Sequence, residues 1–199
     1  MPRKSTHDAA PHIPASRWDT EDAITSVPSQ VGTIVLAGTV MCVCQVVVAP
    51  LYVALSAGLL TVLPWIAVSG LLSVGFCATV GLVLMWVGET VERRVSSRWV
   101  PLLYAGMGAA CFGLWGGTVV PAIFNSIVAA AGGAALHGMS FWAVVINCIV
   151  IGALGFFFGR LLTAKKHVGW PAVWTLIIVE LIVAGCGIFF LAQVYSYLY

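Results

Sequence analysis

Hydrophobic positions along this chain do not alternate, and they do not fall on one helical stripe. They come as long unbroken runs separated by two short charged clusters. No charge and no histidine occurs from Ala23 to Gly88, far more than the roughly 20 residues of one membrane crossing. "ETVERRVSSR", Glu89 to Arg98, is the first cluster after it. A second uncharged stretch reaches Gly159, and "RLLTAKKHVGW", Arg160 to Trp170, is the second cluster. Within the first run, Leu63-Pro64-Trp65 is the place to turn, because proline disrupts a helix and Trp prefers the membrane–water interface. The pattern predicts an all-α, polytopic membrane bundle of five transmembrane helices, at about 31–59, 65–88, 99–120, 141–162 and 171–194. Pro50 should kink the first helix. Pro171 suits the start of the fifth. The segment 122–136 is apolar, rich in small residues and interrupted by Gly132-Gly133. It fits a short re-entrant or interfacial helix, or a loop after an extended third helix; its glycines argue against a sixth crossing.

Charge orients the bundle. Arg93, Arg94, Arg98, Arg160, Lys165 and Lys166 lie in the two clusters, while the 60–64 turn, the 121–140 connection and the C-terminal tail hold no Lys or Arg. Five spans with a cytoplasmic N-terminus and an external C-terminus put both basic loops inside, as the positive-inside rule requires. Trp86, Trp99, Trp170 and Trp174 then mark the inner face. Trp65, Trp142, Tyr195, Tyr197 and Tyr199 mark the outer one. Residues 1–30 read as a polar cytoplasmic tail, in which "SRWDTEDAI", Ser16 to Ile24, can form a short amphipathic helix. Residues 31–199 read as the transmembrane domain. The first apolar run is long enough to span, which favours an uncleaved first helix over a signal peptide.

Composition agrees. Of 199 residues 61% are hydrophobic and only 8% charged, against about 25% charged in soluble domains. The solvent is therefore mostly lipid, and the expected setting is the plasma (inner) membrane. A net charge of +2 with no basic run excludes a nucleic-acid partner. The six cysteines all lie in apolar runs without C-x-x-C or His-paired spacing. They read as packing residues, with no disulfide, no metal site and no cofactor. His7 and His12 lack companions at metal-ligand spacing, and His137 reads as a loop residue beside Asn125. No H-E-x-x-H, no G-x-S-x-G and no paired intramembrane aspartates occur, so the expectation is a non-enzyme.

Small residues mark helix seams, where backbones approach closely. The third helix carries Ala105, Ala109, Gly113 and Gly117 at four-residue spacing, the fourth Gly155 and Gly159, and the second Ser73, Cys77 and Gly81. Such faces serve internal packing, a homo-oligomer or a larger membrane partner. The candidate binding residues are Glu180, Asn147 and Gln45. Ten residues from Trp170, Glu180 sits about 15 Å deep, near the middle of a slab about 30 Å thick, where a charge costs a few kcal/mol. Counted from their own predicted helix ends, Gln45 lies about 18–21 Å and Asn147 about 21 Å from the inner face. One layer of three polar side chains is the expectation, with Thr39 and Thr79 as further hydroxyls. The layer reads as a ligand or ion site, as interhelical hydrogen bonding worth about 0.6 kcal/mol per contact, or, through Glu180, as a seat for a basic residue of another protein.

The stretch Val46 to Val100 has an early proline (Pro50), a short turn, a second helix punctuated by Gly70 and Gly81, and Glu92-Arg93 after it. In these features it resembles the bacterial sensor-type membrane module often fused to histidine kinases, over about a quarter of the chain. The rest departs from it, with a third helix following at once and no kinase domain in the sequence. The resemblance implies a non-catalytic sensory unit. Two functions follow as expectations: a sensory or accessory subunit acting through helix packing, or a small permease or transporter component using the polar layer.

Overall fold

Five helices long and apolar enough to cross a membrane make up the computed structural model of the chain, which describes residues 27–56, 61–165 and 169–196. The proposed amphipathic helix at 16–24, the end of the first predicted helix at 57–59, Lys166, Tyr197 and Tyr199 lie outside these residues. Helix α1 is Ser29–Leu55, α2 Val62–Glu92, α4 Met139–Lys165 and α5 Trp170–Ser196. Helix α3, Val100–Ala130, follows a short 3-10 turn at Ser97–Trp99.

Prolines mark starts more than stops. Pro64, Pro101 and Pro171 fall in the first turns of α2, α3 and α5, where the missing N–H costs nothing. Pro50 and Pro121 lie inside continuous helices. The third helix therefore ends ten residues later than the sequence pattern suggests, and 122–136 contains no separate helix. The true stop is the glycine pair. Gly132 takes φ 76°, its N–H bonds the carbonyl of Ala129 at 3.0 Å, and that of Gly133 bonds Val128 at 2.8 Å. This is a Schellman end, which needs a residue tolerant of the left-handed region. Asn125 then holds the following segment by accepting the Leu136 N–H at 2.8 Å.

In lipid, backbone proximity replaces hydrophobic burial as the source of cohesion. The most extensive seam joins α3 to α4. There Gly108 and Gly152 meet backbone to backbone, and Gly116 packs on Cys148. The expected row Ala105, Ala109, Gly113 and Gly117 is only its edge. Gly113 meets Ile149, Gly117 barely reaches Val145, and Ala105 and Ala109 are half-buried. On the opposite side of α4, Gly155 receives Met41 and Gly159 receives Ala37 and the Thr33 carbonyl of α1. Helix α2 closes the four-helix core with Phe76 wedged between Phe112 and Phe156. Its turn at Cys77–Gly81 is a π-helix, and the Thr79 hydroxyl bonds the Gly75 carbonyl at 2.7 Å. Thr79 thus serves its own backbone. Helix α5 lies outside this core, against α2 and one edge of α1.

Candidate functional site

The helices alternate in direction, so the start of α1, the end of α2, the start of α3 and the end of α4 gather at one end. A cavity of about 240 Å³ there is lined by Ser29, Gln30, Thr33, Met85, Glu89, Glu92, Arg93, Tyr104 and Arg160. Both basic loops begin at this end. Arg160 lies inside α4 rather than in a loop, and its guanidinium pairs with Glu92, the last residue of α2. The Tyr104 hydroxyl bonds the other Glu92 oxygen at 3.1 Å, and the Arg160 guanidinium stands 5.6 Å over the Tyr104 ring. Gly88 leaves room for that ring: a Cβ there would sit 2.8 Å from it. Three helix ends are tied by one carboxylate, one guanidinium and one phenol. The sequence pattern does not reveal this knot, because Arg160 opens the second charged cluster and is grouped there with the loop cations. The available signal was its position directly after the apolar run, one turn before Lys165.

The expected polar layer does not assemble. Glu180 accepts from, or donates to, the Thr39 hydroxyl at 2.9 Å, in the seam between α5 and α1. Asn147 donates to the Tyr52 hydroxyl at 2.9 Å, in the seam between α4 and α1. Along α1, Thr39 and Tyr52 are thirteen residues apart, about 20 Å. Gln45 lies between these levels, buried on the α1 face that carries Met41 and Tyr52, and its carbonyl oxygen has no hydrogen-bond partner among the described residues. Three levels replace one layer for a geometric reason. Helices of 27 residues run about 40 Å, longer than the slab, so depths counted from opposite ends do not agree.

Of the three, Glu180 has the distinctive setting. Gly38 of α1 lies beneath its carboxyl, and a Cβ there would be 2.8 Å from Oε1. A groove of about 160 Å³ lies beside it, lined by Thr39, Cys42, Val43, Val46, Ile66, Gly70, Val179, Glu180 and Val183. Several of these are exposed on the lipid side. At the end away from the basic loops, a larger apolar cavity of about 380 Å³ lies between α2, α3 and α5, with Trp65, Ile127, Phe190 and Gln193 in its wall.

No family model, no curated protein and no solved structure matches this chain.

Proposed function

We propose that the chain is a non-enzymatic, multi-pass plasma-membrane protein that works as a sensory or accessory subunit, docking through α5 and the adjoining edge of α1 onto a larger membrane partner. The observation that carries this reading is the packing of α5. Only 6% of its most apolar 18-residue stretch is buried within the chain, against 50% for α2, yet it holds a carboxyl at mid-depth. A helix that serves only its own bundle has no reason to keep an ionisable group beside lipid. The gathering of Arg93, Arg98, Arg160 and Lys165 toward one end supports a cytoplasmic N-terminus, by the positive-inside rule. The segments 89–98 and 160–170, helix ends with the turns that follow them, would then be cytoplasmic handles.

Transport through the polar residues finds less support. A substrate would need Gln45, Asn147 and Glu180 at one level, and they stand at three. Between the two end cavities the core is filled by Met41, Phe76, Phe112 and Phe156.

Purification in mild detergent tests the reading. The expected result is a stoichiometric membrane partner that is lost when Val179→Trp blocks the α1–α5 groove. Pure chain in vesicles that carries a pH-dependent flux, abolished by Glu180→Gln, would contradict it.

A further inference from the structure

We infer that the partner is a different membrane protein, one of whose transmembrane helices presents a lysine or arginine to Glu180 in the groove between α1 and α5. This rests on the accessory reading above and names the chemistry of the partner.

The carboxyl is incompletely satisfied. Thr39 Oγ1 is 2.9 Å from Glu180 Oε1 and also 2.9 Å from the Val35 carbonyl. A hydroxyl has one proton, so it cannot donate to both. Either the Thr39 hydroxyl donates its hydrogen bond to the Glu180 carboxylate, or a protonated carboxyl donates to Thr39 Oγ1 and the Thr39 hydroxyl donates to the Val35 carbonyl. In both arrangements Oε2 is left without a hydrogen bond among the described residues. It lies over Gly38, where a Cβ would come within 3.3 Å of it. The remaining walls of the groove are Cys42, whose thiol is turned to the Gly70 carbonyl at 4.0 Å, and the apolar side chains of Val43, Val46, Ile66, Val179 and Val183 with Gly70. The rim residues Val43 and Val179 are 59% and 51% exposed. An acid at this depth is costly unless a donor or a cation meets it, and the groove admits one only from the side.

A second copy of the chain cannot supply that cation. No Lys or Arg occurs from Ala23 to Gly88, from Trp99 to Gly159, or from Trp170 to Tyr199, and Arg3, Lys4 and Arg17 lie in the polar segment before the first apolar run. Arg160 stands near its helix end and is already paired with Glu92. Glu180 lies about 15 Å along α5 from Trp170, beyond reach of the two basic loops. Charge complementarity therefore selects a heterologous helix with a basic residue at the corresponding depth.

The test uses the full chain in phospholipid vesicles with synthetic leucine–alanine transmembrane helices as probes. One probe carries a lysine at its centre, one carries leucine there, and one carries the lysine a turn from its end. Association is read by energy transfer between labelled probe and labelled chain. The central-lysine probe should bind about tenfold more tightly than the other two, and Glu180→Gln should remove the preference. The glutamine keeps the side chain's shape and its hydrogen bond to Thr39, and retained helix content with an unchanged melting temperature verifies the fold. Equal binding of all three probes, or a preference that persists in Glu180→Gln, overturns the inference. Copurification separates this from the reading beneath it. A stoichiometric partner retained by Glu180→Gln leaves the accessory role standing and ends the cation. A partner that proves to be a second copy also ends it. Absence of any partner from the wild-type chain ends the accessory role itself.

Discussion

Helices α2 and α5 are alike in composition and opposite in use. Their mean hydropathies are 2.1 and 2.5, and their lengths 31 and 27 residues. Yet half of the most apolar stretch of α2 is buried inside the chain and only 6% of that of α5 is. Helix α2 turns Trp65, Val68, Leu72, Phe76 and Leu84 inward, while α5 leaves Ile178, Leu181, Ile182, Ile188 and Phe189 to lipid. The difference lies in small residues and their partners. Helix α5 packs on α2 alone over any length, where Gly187 meets the Ala67 carbonyl and Val183 fills the space above Gly70, so one face of α5 is held and the rest is left to lipid. In a bilayer apolar character sets only where a helix resides; close backbone approach decides which neighbours it keeps.

Substitutions can break this contrast, and their effects should descend from the core outward. Gly152→Leu would drive a side chain into the Gly108 backbone and Phe112. It should cost more than about 4 kcal/mol and abolish the folded bundle, as measured by denaturant titration in detergent. Phe76→Ala, which empties a site enclosed by Phe112, Trp115 and Phe156, should cost about 3 kcal/mol in the same assay. Arg160→Ala strips Glu92 of its cation while both side chains are largely buried. A loss of about 1–2 kcal/mol is expected, and Glu92→Gln combined with it should recover part of that, as a double-mutant cycle would report. Ile182→Ala, 60% exposed on α5 before substitution, should stay within about 0.5 kcal/mol of the wild type. Large losses from Ile182 would mean that α5 belongs to the core after all.

Much of the architecture was readable before any coordinates. Five spans, their approximate limits and the shared end of the basic loops follow from the apolar runs, the Leu63-Pro64-Trp65 turn and the two charged clusters. The end of α3 does not: the pattern closes the third helix near residue 120, whereas α3 runs through Pro121 to Ala130. A proline inside a long apolar helix is tolerated when neighbours compensate, and the Schellman geometry at Gly132 is the stronger signal. The level of each polar residue was also illegible, since the helices overrun the slab and each depth depends on the end chosen. Nor could the sequence separate α2 from α5: helices apolar all round show no periodicity to reveal the packed face. The Glu92–Arg160–Tyr104 knot was hidden for another reason. Its members come from three separate helices, and Glu92 and Arg160 each fall in a charged cluster that the sequence pattern places at a loop.

The central claim is that the α1–α5 face is covered by another protein. A photo-crosslinking amino acid at position 43, at the rim of the groove, and another at position 114, on the exposed side of α3, test it in native membranes. The account predicts a defined heterologous protein adduct from position 43 that Glu180→Gln diminishes, and only lipid adducts from position 114. Lipid adducts from both positions, or the same protein adducts from both, would contradict it.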